Sequence, residues 1–439
     1  MSYDLVLENA EVFYQGKLQK LNMGIESGKI KTLTEDALTG KTKLNLQGKW
    51  ILPGLIDSQV HFREPGATHK EDLQTGTLSA LAGGITAVLE MPNTNPLTVT
   101  KETLQEKVNL ASQKAWVDFG FFVGATHNNI DELPQLEKLE GCCGVKIFMG
   151  SSTGSLLMDD DADLEKVFAT AKGPIAVHCE DEKRLLERKP IAEVAGNPLA
   201  HPDWRDEESA FIATEKVVRL SKKYNHPVHV LHISSKKEIL FLAENKDANI
   251  TVECTPQFLT FAAPECYEKL GTLAQMNPPV RGAEHREALI EGLVNGTVDV
   301  MGSDHAPHTR EEKAKPYPQS PSGMTGVQTI ATVMFGFVKK GLITLERYVD
   351  LLSTKPAQIY KLHQRGSIEL GWEANLTVID PNAEIEFKHE QMHSKCGWTP
   401  FDGMTFTGTP TEVILRGELV MENGQVLGGS RGKMLHYDR

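Results

Sequence analysis

Eight short apolar runs, most of them followed by a polar amphipathic stretch, dominate the middle of this chain. They are WILPGLI (50–56), GITAVLEM (84–91), VDFGFFVGA (117–125), GVKIFM (144–149), PIAVHC (174–179), PVHVLHI (227–233), NITVEC (249–254) and VDVMGS (298–303). Each is rich in β-branched or aromatic residues, the signature of a buried strand. Segments such as KEDLQTGTLSALAG and TKETLQEKVNLASQ between them read as helices with one apolar face. This α/β alternation predicts a (β/α)8 TIM-like barrel. A doubly wound open sheet also alternates. It normally has fewer strands and a glycine-rich phosphate loop after the first, which this chain lacks.

The flanks follow a different rule. Residues 1–50 (YDLVLENAEVF, KLNMGIESGKIKTL) and 367–439 (SIELGWEANLTVID, TEVILRGELVMENGQVL) alternate with a period of two between Gly and Asn turns. That is the pattern of antiparallel β. The two flanks are expected to pack into one small β-sandwich domain built from both termini, beside a barrel over 51–366.

Charge narrows the partners. Lys and Arg number 46 against 59 Asp and Glu, a net charge of −13 with no basic run. Such a chain is poorly suited to nucleic acid or an anionic membrane, although a local arginine can still bind a small anion. The start, MSYDLVLENAEVF, lacks a cationic stretch followed by an apolar core, so no secretion signal is expected. No apolar stretch approaches the ~20 residues of a membrane span. The six cysteines form no CxxC pair. They are expected to be buried thiols in a reducing, cytoplasmic compartment.

The chemistry sits where the apolar runs end. Asp57 and His61, Asn93, Lys146, His178, His232, Glu253 and Asp304 close the runs or lie just beyond them, which in a barrel places them at the C-terminal mouth. Taken singly, each has an ordinary explanation. His178 (AVHCED) and His232 (HVLHISS) would be hydrogen-bonded core histidines, Asp304 (MGSDHAPHT) a helix cap, and Lys146 (CGVKIFMG) half of a buried salt bridge. Taken together, His61, Lys146, His178, His232 and Asp304 fall on strands one, four, five, six and eight. Imidazole and carboxylate are zinc ligands, with a position left for water. Lys146 then reads as an amine of lowered pKa that combines with CO₂ to give a carbamate, an anion able to bridge two metals. One position departs from this pattern. Gln59 lies two residues before His61, on the same face of an extended chain, where a metal site would want a second histidine.

The stretches HFREPG (61–66), THKEDLQTGTLSALAGGITAVLEMPNTNP (68–96), NPPVR (277–281) and GSDHAPHT (302–309) resemble the motifs of the amidohydrolase superfamily. Within its cyclic amidohydrolase branch they resemble the dihydroorotase family, over nearly the whole chain and including the β flanks. The resemblance implies reversible, metal-dependent cyclisation of N-carbamoyl-L-aspartate to L-dihydroorotate in pyrimidine biosynthesis. It implies one or two zinc ions per chain and carboxylation of Lys146. One metal would be held by positions 59 and 61, Asp304 and the Lys146 carbamate, the other by the carbamate, His178 and His232. The family has histidine where this chain has Gln59. A glutamine carbonyl is a hard, neutral donor better suited to calcium or magnesium, so the first site is expected to be weak or absent and the second intact. Metal-bound hydroxide would attack the ring amide, with Asp304 as general base and then acid. Arg63 would grip the substrate carboxylate through two parallel hydrogen bonds. Asn93, Asn277 and His308 would complete the substrate contacts. Singly, these three also read as turn-forming asparagines in MPNTNP and MNPP and a loop histidine.

Two other functions fit parts of the pattern. Gln59 suits a catalytically impaired relative that serves as a structural partner of an aspartate carbamoyltransferase. Retention of Lys146 and Arg63 argues against it. A cyclic amidase of the hydantoinase or allantoinase type is opposed by Arg63, since the former lack the FREPG run and the latter tend to carry Asn in its place. A homodimer is the base-rate expectation for assembly. The polar, proline-rich segment HAPHTREEKAKPYPQSPSGMTG is expected to border the site.

Overall fold

The computed structural model describes residues 2–150 and 156–439. Eight parallel strands run in sequence order around a barrel: Leu55–Val60, Ile85–Glu90, Asp118–Gly124, Cys142–Phe148, Ile175–His178, Val228–Val230, Ile250–Cys254 and Val300–Met301. The eighth returns to the first through a Val60–His305 bridge and a 2.8 Å hydrogen bond from the His61 N–H to the His305 carbonyl. Every residue of the first four strands is buried, as expected of a parallel sheet covered on both faces. The helices between strands begin where the sequence supplies caps. Asp72 and Thr75 form a capping box at the head of Leu73–Ala82, and Thr100 and Thr103 do the same for Lys101–Lys114.

The first apolar run, read as one strand over 50–56, is two. Trp50–Pro53 pairs with Leu376–Glu386 and with Tyr3–Tyr14 in a second sheet, whereas Leu55–Val60 belongs to the barrel. Gly54 lies between them, packed so tightly on the Thr86 side chain that a Cβ there would overlap it. No other residue type allows the chain to change sheets at that point.

The second sheet has nine strands drawn from both ends of the chain, with a core of its own that includes Leu7, Val12, Met23, Ile51, Leu376 and Ile414. Its hairpins turn on the pairs Gln15-Gly16, Ser27-Gly28, Arg416-Gly417 and Asn423-Gly424, in which both residues have positive φ. That is the conformation whose twist matches a two-residue hairpin. Asp118, buried at the start of the third barrel strand, ties this sheet to the barrel. It accepts from Arg416 at 2.6 and 2.7 Å, from Arg365, and from the Lys433 N–H at 2.8 Å. All six cysteines are buried and unpaired. Among the described residues, no helix is long and apolar enough to cross a membrane.

Candidate metal centre and substrate pocket

The barrel strands deliver their last side chains to one cavity at the C-terminal mouth. Gln59, His61, Arg63, Asn93, Lys146, His178, His232, Asn277 and Asp304 all line it, together with Ala306, Ser322 and Gly323. Strand periodicity explains the aim of Lys146. Its neighbours Val145 and Ile147 pack outward into the helical layer, so Lys146 points into the barrel. Arg63, His232 and Asp304 hold positive φ values of 63°, 34° and 45°, a region non-glycine residues adopt only when their surroundings enforce it.

The candidate ligands fall into two pairs with Lys146 within electrostatic reach of both. In the first pair, His61 Nε2 lies 3.2 Å from Asp304 Oδ1, while His61 Nδ1 donates to Asn93 Oδ1 at 2.7 Å. The donating Nδ1 leaves Nε2 with a lone pair facing a carboxylate, an arrangement that calls for a cation or a proton. In the second pair, His178 Nδ1 and His232 Nε2 are 3.0 Å apart. His178 Nε2 donates to Glu180 at 2.9 Å, so its Nδ1 also presents a lone pair. Two nitrogens sharing one tetrahedral zinc at about 2.0–2.1 Å would stand roughly 3.3 Å apart. Burial holds His61 and His178 below the usual imidazole range and His232 well below it, so all three are neutral, as ligands must be.

Among the described residues, three buried polar atoms in this cavity lack a hydrogen-bond partner: Gln59 Oε1, Lys146 Nζ and His232 Nδ1. Burial lowers the Lys146 amine to about 7, against the pull of Asp304 and Glu253. It lies over the Phe148 ring, 4.5 Å from the centroid. An unpaired buried amine is costly and rare. Among the described residues, no three His, Cys, Asp or Glu side chains are spaced to hold a metal on their own. An anionic group on Lys146 would join the two pairs and complete a ligand set, so the side chains present fit a metal through that lysine. Among the described residues, the structural salt bridge considered for Lys146 is not found.

Gln59 takes an unanticipated role. Its Nε2 donates to Asp304 Oδ1 at 3.1 Å, the oxygen that also faces His61. A neutral N–H occupies the side of Asp304 where a cation held by position 59 would lie.

Arg63 is buried and donates to the Pro307 carbonyl at 3.2 Å. Burial lowers its guanidinium to about 10, which leaves it charged at neutral pH. Among the described residues no carboxylate is paired with it. A buried, unpaired guanidinium facing a cavity is a receptor for an anion.

His308 stands one layer behind the cavity. Lys70 donates to its Nδ1 at 3.1 Å, so Nε2 carries the hydrogen and donates to the Ser322 carbonyl at 3.1 Å. Arg63 Nη2, 3.3 Å from that nitrogen, is in van der Waals contact rather than hydrogen-bonded, since both groups are donors. Asp57, in the middle of the first barrel strand, and Glu253, next to last in the seventh, do not line the cavity. Asp57 accepts from the backbone N–H groups of Ser303 at 3.0 Å and Gln59 at 3.2 Å, and Glu253 accepts from Ser58 Oγ at 2.7 Å. Both brace the loops that carry the ligands. The proline-rich segment does border the site. The buried Lys313 ammonium donates to the carbonyls of Gln275, Pro321 and Gly323 at 3.1, 2.9 and 3.1 Å, pinning Ser322 and Gly323 against the cavity.

Sequence reasoning missed Glu180 and Arg205. Arg205 Nε donates to Glu180 Oε1 at 3.0 Å and its Nη2 is paired with Oε2. Burial opposes charge on Glu180, yet Arg205 and His178 outweigh it and hold the carboxyl at about 2. A fixed carboxylate behind a histidine sets which ring nitrogen is free to ligate. The available signal was an acidic residue two places after a strand-ending histidine.

The fold and this constellation define a barrel hydrolase of the metal-dependent amidohydrolase kind. Residues 50–420 match the model of the amidohydrolase family. Within that family the chain belongs to the dihydroorotases. It is 35% identical to a dihydroorotase of Methanosarcina mazei, with 98% of this chain and 97% of the relative covered. It is 32% identical to a dihydroorotase of Pyrococcus abyssi, with 96% of each covered. The fold is similar to that of an L-hydantoinase (dihydropyrimidinase) from Arthrobacter aurescens, at a TM-score of 0.93 and 26% identity over 99% of both chains. A dihydropyrimidinase from Brevibacillus agri is similar at 0.91 and 25%, again over 99% of both.

Proposed function

We propose that this chain interconverts N-carbamoyl-L-aspartate and L-dihydroorotate, using one zinc ion held by carboxylated Lys146, His178 and His232. The observation that carries the substrate is Arg63, a buried guanidinium lining the cavity with no carboxylate of its own. Dihydroorotate carries a ring carboxylate; hydantoin and dihydrouracil do not. When bound, the metal supplies a Lewis acid that activates water and polarises the amide carbonyl.

The chain's own groups do the rest. Arg63 and Asn277 orient the ring. Asp304, aligned by the hydrogen bond from Gln59 Nε2, takes the proton of the attacking water and returns it to the leaving amide nitrogen as the carbon–nitrogen bond breaks. In the synthetic direction the same carboxyl group removes the ureido proton during ring closure. Six unpaired thiols fit a cytoplasmic step of pyrimidine biosynthesis.

Replacing Arg63 with methionine tests the substrate. Losing two charge-assisted hydrogen bonds costs about 2–3 kcal/mol, roughly a 30- to 150-fold rise in KM. The change in kcat is expected to stay within a few-fold. Steady-state kinetics with dihydroorotate would show this, and faster turnover of dihydrouracil or hydantoin than of dihydroorotate by the unaltered protein would refute the substrate. Gln59 favours a second reading, a non-catalytic partner of an aspartate carbamoyltransferase, because it removes a nitrogen donor. Measurable turnover would eliminate that reading.

A further inference from the structure

His201 belongs to none of the groups described so far. It begins the short helix His201–Trp204, is fully buried, and does not line the cavity. Its contacts nevertheless converge on groups that do. Nε2 lies 3.1 Å from the Met276 carbonyl oxygen, 3.1 Å from Asn277 Oδ1 and 3.5 Å from Ser322 Oγ. Nδ1 lies 3.4 Å from the Tyr317 hydroxyl.

These partners fix the proton. A backbone carbonyl only accepts, so Nε2 carries the hydrogen. Nδ1 is then an acceptor, and the Tyr317 hydroxyl donates to it. The atom of Asn277 facing an N–H must be its oxygen, which turns the Asn277 amino group away from His201. Asn277 lines the cavity, so that amino group is the part available to a ligand. Burial keeps the imidazole neutral, down to about 3, beside Arg205.

We propose that His201 is a positioning residue: its Nε2–H, set by the Met276 carbonyl and Tyr317, locks the Asn277 amide with Nδ2 presented to an oxygen of the cyclic substrate. This rests on the dihydroorotate reading. It also explains why two chain segments distant in sequence, 198–204 and 317–322, meet behind a residue that contacts substrate. Without the lock, the amide can turn its oxygen toward the ring carboxylate or carbonyl and repel it.

The test compares His201→Leu, His201→Gln and Asn277→Ala. Leucine is expected to raise KM for dihydroorotate about tenfold while kcat changes less than threefold. Glutamine, which restores an N–H at similar reach, should recover most of that loss. In the Asn277→Ala background the leucine change should add nothing. An unchanged KM in His201→Leu, or an equal rise with and without Asn277, overturns the proposal. ¹⁵N NMR of histidine-labelled holoenzyme, with the His201 signal assigned by its loss in His201→Gln, is independent of turnover and of the leucine variant's folding. The Nε2–H tautomer supports the lock, and the Nδ1–H tautomer or an imidazolium at pH 7 overturns it. If the unaltered protein fails to turn over dihydroorotate, the functional reading falls, and the tautomer still decides the orientation of Asn277.

Discussion

Lys146→Met is expected to abolish turnover, by at least ~10⁴-fold, since activation of water by a metal would be lost. Zinc should fall to a small fraction of an equivalent per chain. The same change should leave metal-free protein no less stable, and this separates the two roles a buried lysine can play. A structural lysine has a partner, and removing it strands that partner. Lys146 Nζ has none among the described residues, so a methionine of similar volume relieves a desolvation cost instead. Metal analysis, turnover and thermal melting of the same preparation check all three. The amine also predicts a pH dependence. Only neutral amine combines with CO₂, and the folded-state value is lowered by burial to about 7. Reconstitution of metal-free protein with zinc and bicarbonate should therefore accelerate as pH rises through about 7. A lysine with an ordinary value would show that rise nearer 10.

Asp304→Asn should lower kcat by ~10³-fold, within the range typical of a lost general acid–base group. KM should change only a few-fold, and about one zinc per chain should remain. The basis is the division of the site. Asp304 Oδ1 accepts from Gln59 Nε2 at 3.1 Å and faces the His61 Nε2 lone pair at 3.2 Å, whereas His178 and His232 face one another elsewhere in the cavity. If Asp304 served mainly as a ligand, zinc would be lost in step with activity. Normal turnover with a full complement of metal would contradict its role as base.

Much of this was legible because a parallel barrel writes itself plainly. Its strands are buried on both faces, so they read as continuous apolar runs, and their final residues must gather at one mouth. That pattern alone places His61, Lys146, His178, His232 and Asp304 together. The misreadings have physical causes. The run at 50–56 looks unbroken because Gly54, where the chain changes sheets, is apolar like its neighbours. Asp57 and Glu253 stand at the ends of apolar runs in the sequence just as ligands do, but Asp57 lies mid-strand, and the direction of their hydrogen bonds shows that both brace backbone and side chains beneath the site. His308, read from the sequence as a substrate contact, does not line the cavity, and its two nitrogens are engaged by Lys70 and Ser322. Glu180 had a local signal, its place two residues after His178, whereas Arg205 and His201 act through long-range contacts and the placement of single protons, which have no local pattern. Gln59 was visible as a departure, but the direction of its amide was not.

The most direct measurement is dihydroorotate turnover by the purified protein with zinc determined on the same sample. Turnover is expected with about one zinc per chain, rising toward two in Gln59→His as the missing nitrogen donor is restored. Absence of turnover at every zinc and bicarbonate concentration would contradict that expectation.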